Sequence, residues 1–253
     1  MYLAVLFPSV LALFALYKNK LTLPAIILAW ILGIVIAYFG DLFAFTSLAL
    51  TFILTIASDK LKIKKNKDNT LKVERRNIWQ IVCNILIPAL CIVIYKISND
   101  EKFYLLYFMV ICSSLADTLA SSIGSLSNKS CFNPLNFKSM KKGESGAISV
   151  LGLGASLTAG IFVGLPYFLK KHIIINYLYI ILVGFLGAYF DSLLGYLCQG
   201  KYECSKCHEK VESKWHCDRP AKLIKGINFI DNNVVNFLNN LFSFAIGYLL
   251  LII

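Results

Sequence analysis

The sequence is short of charge. Asp, Glu, Lys and Arg make up 15% of its 253 residues, against about 25% in a typical soluble domain. That leaves too little polar surface to cover a water-soluble fold, so a soluble domain is excluded. Acidic residues are the scarcer sign, 14 against 25 Lys and Arg, giving a net charge of +11. Such an excess ordinarily points to nucleic acid, but in a chain this apolar membrane orientation is the first use to test. A disulfide framework is also missing: Cys83, Cys91, Cys112 and Cys198 lie inside apolar runs and read as small buried hydrophobes. The first apolar run has neither a basic leading segment nor an A-x-A-like cleavage site, which favours a retained span over a signal peptide.

What the chain has is long apolar runs, with 58% hydrophobic residues. Charge breaks divide it into eight runs, 2–17, 21–40, 42–57, 78–97, 103–123, 147–169, 173–198 and 233–253, each near the length a transmembrane helix needs. The sequence therefore predicts an all-α, polytopic membrane helix bundle, a single integral membrane domain over 1–253. Pro24, Pro88 and Pro166 fall within spans, where neighbouring groups can satisfy the freed carbonyls. The series Ser156, Gly160, Gly164 reads as close helix packing.

Alternating sides for eight spans puts 21 of the 25 basic residues on one face. Only Lys96, Lys102, Lys170 and Lys171 fall on the other. By the positive-inside rule both termini lie outside and the long loops are cytoplasmic, in the plasma membrane of a prokaryote. Orientation thus accounts for the whole positive charge, and nucleic-acid binding is not needed. The basic stretch 60–76 reads as a solvated loop facing anionic membrane lipids, with Trp79 anchoring the fourth span at the interface.

Polar side chains inside spans are costly and usually face a protein interior or a wet cavity. Here they converge on the cytoplasmic leaflet. Arg76, Gln80 and Asn84 form one stripe at four-residue spacing as the fourth span enters. Asp117, flanked by Ser114 and Ser121, and Asp191, followed by Ser192 and Gln199, come late in inward-running spans. Asp231, Asn232, Asn233, Asn236, Asn239 and Asn240 open the last. The outer halves of the helices carry almost no polar residue.

The sixth span follows Lys141-Lys142-Gly143-Glu144-Ser145-Gly146-Ala147-Ile148-Ser149. Two glycines and a serine at a helix start, beside two lysines, make either a phosphate cradle or a plain interfacial turn. Asp117 and Asp191 sit in similar strings, hinting at an internal duplication. Two carboxylates among hydroxyl and amide oxygens suit Mg²⁺ carried with a nucleotide. Buried packing acids, or proton or Na⁺ coupling in a transporter, are the other readings.

Within the loop 199–230, Cys204-x2-Cys207 is followed by His216-Cys217. This is a Cys3His set suited to tetrahedral structural Zn²⁺, with His208 an alternative to His216. Unrelated reduced thiols are the bland reading. Cys131 and His172 receive no role.

Taken together, these strings resemble an integral-membrane family that includes human transmembrane protein nineteen, many archaeal and bacterial proteins, and the phytyl-phosphate kinase of vitamin E synthesis. The carrying residues are Arg76-x3-Gln80-x3-Asn84, Ala116-Asp117-Thr118-Leu119-Ala120-Ser121, Gly143-x2-Gly146-Ala147-x-Ser149, Gly187-x3-Asp191-Ser192-x2-Gly195-x3-Gln199, the Cys/His loop, and Asp231-Asn232 with Asn236. The resemblance spans nearly the whole chain. It implies transfer of a nucleotide γ-phosphoryl group, from CTP, to a long-chain prenyl or phytyl monophosphate. Asp117, Asp191 and Asp231 would hold Mg²⁺, Arg76 and Lys142 the phosphates, and Gln80, Asn84, Thr118, Ser121, Ser149, Ser192, Gln199, Asn232 and Asn236 would surround the substrates. Two carboxylates usual in the family are absent, with Ser122 and Asn233 in their places. An ion-coupled transporter of a phosphorylated or lipid-linked solute and a non-catalytic prenyl-lipid-binding protein are the competing functions. The transporter requires a pathway open to both faces.

Overall fold

The computed structural model describes residues 2–65 and 75–253. Among them the chain forms eight helices: α1 (Tyr2–Tyr17), α2 (Leu23–Phe39), α3 (Leu42–Lys65), α4 (Ile78–Ser98), α5 (Glu101–Gly124), α6 (Val150–Lys171), α7 (Ile174–Leu197) and α8 (Asn232–Leu250). The seven from α2 to α8 are long and apolar enough to cross a membrane, and α1 is a shorter apolar helix of 16 residues. The membrane helix bundle read from the sequence is the fold. Residues 66–74 of the basic stretch lie outside the described residues.

The bundle is built around α5. Every residue from Tyr104 to Ala116 is buried, as expected of a helix apolar on all sides, and α5 packs against α3, α4, α6, α7 and α8. Lipid supplies no hydrophobic drive for helices to associate, so small residues that admit close backbones do the work. At Gly160 of α6 an added Cβ would stand 2.7 Å from Ile181 Cα of α7, and Ser156 one turn earlier is buried. The Ser156/Gly160/Gly164 series is a packing seam.

Local chemistry sets the ends. Asn77 and Gln80 form a reciprocal capping box at the start of α4, Ser149 caps α6 through the Gly152 N–H, and Asp231 caps α8 through the Val234 N–H. Most boundaries fall within three residues of those read in the sequence, and α3 departs furthest. Helix α3 runs to Lys65 rather than 57, because Asp59-Lys60 breaks the apolar run but not a helix of good formers. Helix α6 begins at Val150 rather than 147, so the glycine segment precedes it, as the sequence placed it. Pro24 falls in the first turn of α2, where a missing N–H costs nothing.

The segment between α7 and α8 is an antiparallel sheet rather than a loop. Strands β3 (Lys201–Cys204), β4 (Lys210–Val211), β5 (Trp215–His216) and β6 (Arg219–Lys225) lie in the order β4-β3-β6-β5. A small hairpin of β1 (Cys131–Phe132) and β2 (Ser139–Met140) precedes α6.

At the end where α2, α4 and α6 finish, polar groups pair with one another. Asp41, at φ +120°, accepts hydrogen bonds from Tyr104 Oη at 3.1 and 3.2 Å and from the Ala44 N–H at 3.0 Å. Lys170 pairs with the same carboxylate and lies 4.3 Å over the Tyr104 ring. Lys171 pairs with Glu101 at 2.8 Å. Asp41 lies in the turn between α2 and α3, so this cluster sits at the helix ends.

Candidate active site

At the opposite end, a cavity of about 600 Å³ opens where α3, α5 and α7 finish and α4, α6 and α8 begin. The alternation of eight helices brings these ends together. Of the site residues named from the sequence, Arg76, Gln80, Asn84, Asp117, Thr118, Ser121, Lys142, Gly143, Ser145, Gly146, Ser149, Asp191, Ser192, Gln199, Asn232 and Asn236 all line it. Asp231 does not. Its side chain is spent on the α8 cap, at 3.0 Å from Val234 N, and the residue is exposed. The Mg²⁺ role read for Asp231 is therefore withdrawn.

Arg76 is fixed from both sides. Its N–H donates to Lys20 O at 2.9 Å and its carbonyl accepts from Thr22 N at 3.0 Å, tying the entry of α4 to the start of α2. Its guanidinium stands 3.8 Å from the buried Asp59 of α3. Burial lowers the Arg76 pKa, while Asp59 and then Asp117 oppose the shift, and a guanidinium stays charged throughout. Gln80 Oε1 accepts from Asn77 N at 3.0 Å, leaving its amide NH₂ for the cavity. One turn on, Asn84 Nδ2 donates to Gln80 O at 2.8 Å.

Asp117 and Asp191 face each other from α5 and α7, close enough to interact directly. Asp191 is buried and Asp117 partly so, and Asp191 Oδ2 finds no hydrogen-bond partner among the described residues. Asn236 Oδ1, on the same wall, is likewise buried and unpartnered. Orphaned buried oxygens cost about 1–3 kcal/mol each, more when charged. Two carboxylates placed together either share a proton or take a cation between them. Three hard oxygen donors facing one space fit a Mg²⁺ ion.

The glycine turn forms another wall. Gly143 and Gly146 take φ +86° and +79°, and a Cβ on Gly146 would lie 2.4 Å from Tyr196 N, so only glycine seats the turn against the end of α7. Ser145 Oγ donates to Gln199 Oε1 at 2.9 Å, and Lys201 Nζ donates to Ser145 O at 3.0 Å. Lys142 Nζ donates to Ser127 O at 2.9 Å. The N–H groups of Gly143, Ser145 and Gly146 donate to no described residue, as an anion-binding turn requires. The α6 N-terminus itself is closed by Ser149 Oγ, 3.1 Å from Gly152 N.

Deeper in the bundle, Ser113 Oγ donates to Asn239 Oδ1 at 2.9 Å and Ser114 Oγ to Asn240 Oδ1 at 2.8 Å. Asn240 Nδ2 donates to Cys83 O at 2.6 Å. These two asparagines serve packing below the cavity rather than chemistry in it.

The structure adds three acids to which the sequence reading gave no role, one of them Glu144 in the glycine turn. Asp59 reaches the wall because α3 continues past the apolar run, and Glu212 reaches it from the sheet between α7 and α8. The signal for Asp59 was present in Thr55, Ser58 and Asp59, polar residues at helical spacing that are all buried. Nothing in the local sequence singles out Glu212.

Every lining residue lies within 6–244, the stretch that matches the family model described as integral membrane protein DUF92. The chain belongs to this family. It is 29% identical to Protein PGR of Arabidopsis thaliana over an alignment of 273 residues, covering 95% of this chain and 92% of that one. It is 27% identical over 201 residues to an uncharacterised membrane protein of Methanocaldococcus jannaschii, covering 79% and 84% of the two chains. No solved structure gives a significant match.

Proposed function

We propose that this integral membrane protein is a nucleotide-dependent kinase that uses CTP to convert a long-chain prenyl or phytyl monophosphate to the diphosphate at the cytoplasmic face of a prokaryotic plasma membrane. One observation carries the reading: a carboxylate oxygen on Asp191 with no partner among the described residues, opposite Asp117, in a cavity that also holds Arg76 and a turn in which the N–H groups of Gly143, Ser145 and Gly146 donate to no described residue. A transporter is disfavoured by the other end of the bundle, where Asp41, Tyr104 and Lys170 satisfy one another.

Phosphoryl transfer asks a protein mainly for positioning and charge neutralisation. Mg²⁺ held by Asp117 and Asp191 would neutralise the nucleotide phosphates and orient the γ-phosphoryl group. The turn Gly143–Gly146 cradles phosphate oxygens with its N–H groups, and Lys142 and Arg76 offset the charge of donor and acceptor. Amides of Gln80, Asn84 and Asn236 fix orientation by hydrogen bonds. A terminal oxygen of the acceptor monophosphate forms the new bond to the γ-phosphorus. The bond from that phosphorus to the bridging oxygen breaks, and CDP leaves. The acceptor is already anionic, so no general base is needed. Asp59 and Glu212 supply further carboxylates to the cavity wall.

The prenyl tail has an apolar route beside the cavity. A narrow cleft lined by α1–α4 runs past Leu21, Trp30, Ile81 and Ile85, and Leu21 is paired with Arg76 through the backbone. The phosphate can thus meet Arg76 while the chain lies among apolar side chains.

The test is transfer from radiolabelled CTP by purified protein with Mg²⁺, offered a panel of prenyl and phytyl monophosphates. A labelled diphosphate, absent without Mg²⁺, is expected; no transfer from any nucleoside triphosphate to any member would overturn the reading. Orientation is tested separately, by labelling Lys138→Cys and Lys102→Cys from opposite faces, with Lys138 cytoplasmic.

A further inference from the structure

The sheet between α7 and α8 brings four soft donors to one point. The donor atoms of Cys204, Cys207, His216 and Cys217 all lie within 4.8 Å of one another. Cys207 Sγ and Cys217 Sγ are 3.9 Å apart, and His216 Nδ1 stands 3.4 and 3.3 Å from them. Zn–S bonds of about 2.3 Å and Zn–N bonds of about 2.0 Å on a tetrahedron put sulfurs about 3.8 Å apart and a sulfur and nitrogen about 3.5 Å apart. The observed spacings are the edges of that tetrahedron. They are also far longer than a disulfide, whose sulfurs sit about 2 Å apart, and all the cysteines are free thiols. His208 is turned away, with Nδ1 3.2 Å from Glu203 Oε1, so the fourth ligand is His216.

We propose that Cys204, Cys207, His216 and Cys217 bind one structural Zn²⁺ that holds the β3–β6 sheet as a wall of the cavity. Four protein ligands leave no open position, which makes the ion a staple rather than a reagent. The strands need one. They are two to seven residues long, and a sheet this small has little apolar area of its own with which to hold its shape. Cys204 ends β3, His216 ends β5, and Cys217 leads into β6, so a single ion ties three of the four strands.

The sheet is joined to the bundle at its base. Ile227 N donates to Cys198 O and Gly200 N to Ile230 O, both at 2.9 Å, and Lys201 reaches the glycine turn through Ser145 O. Glu212, between β4 and β5, lies on the cavity wall. Zinc thereby fixes a carboxylate at a cavity whose other acids lie on helices and, at Glu144, in the glycine turn. The assignment rests on donor geometry and stands whether or not the cavity transfers phosphate.

The experiment uses the full-length protein, purified in detergent without added metal. Elemental analysis should give about one zinc per chain, unchanged in Cys131→Ser and lost in Cys204→Ser and Cys217→Ser. Stripping the parent protein with a chelator should speed trypsin cleavage at Lys206, Lys210 and Lys214 by at least tenfold, and restored zinc should reverse it. Hydrogen exchange in α5 should not change, which separates a local staple from general unfolding. Iron in place of zinc, zinc content that ignores the cysteine substitutions, a Cys207–Cys217 disulfide, or cleavage unaffected by zinc removal would each overturn the proposal.

Discussion

The two ends of the bundle treat buried polarity in opposite ways. At one end Asp41, Tyr104 and Lys170 from three segments close on one another, and Lys171 takes Glu101, so each charge has its complement in the chain. At the other, Asp117 and Asp191 confront each other and Asp191 Oδ2 and Asn236 Oδ1 have no described partner. Both arrangements cost desolvation. The first is a clamp that recovers it through its own pairs, whereas the second leaves two buried oxygens without a partner among the described residues.

Substitutions should separate the two ends. The largest effect is expected at the acids: Asp117→Asn and Asp191→Asn should each lower Mg²⁺-dependent turnover by at least about 100-fold, several kcal/mol of lost charge stabilisation. Thermal stability should hold or rise, because Asn is cheaper than an unpaired carboxylate to bury. Gly146→Ala should come next. Its Cβ has no room beside Tyr196 N, so the turn must move, and nucleotide affinity should fall by at least about tenfold, or 1.4 kcal/mol. At the clamp, Asp41→Asn should show the reverse pattern, with a lower Tm corresponding to about 1–2 kcal/mol and unchanged Mg²⁺-nucleotide binding. Glu101→Gln should matter least, within about 0.5 kcal/mol, since Glu101 meets Lys171 from an exposed position. A clamp substitution that abolished nucleotide binding, or a cavity substitution that only melted the protein, would erase the distinction.

The cavity end was largely legible in the sequence because polar residues inside apolar runs are visible against their background. Arg76, Asp117, Asp191 and the glycine turn could each be given a depth from span boundaries alone. The same boundaries hid Asp59. Its charge marked the end of an apolar run, and hydropathy does not reveal that a helix continues through the interface. Asp231 misled for a related reason, since a carboxylate at a helix start serves a cap or a site, and only the hydrogen bond to Val234 decides. Glu212 and the four strands depend on long-range pairing within a segment that has no strong periodicity. The Asp41 clamp unites residues more than 100 positions apart, and no local pattern announces it.

The central claim is that Asp117 and Asp191 are a divalent-cation site for a bound nucleotide. Electron paramagnetic resonance of Mn²⁺, titrated into purified protein with CTP present, reads that site without requiring turnover. The account predicts one saturable Mn²⁺ per chain, displaced by Mg²⁺ and lost in Asp191→Asn at unchanged monodispersity. Equal Mn²⁺ binding by the parent and Asp191→Asn, or none by the parent, would contradict it.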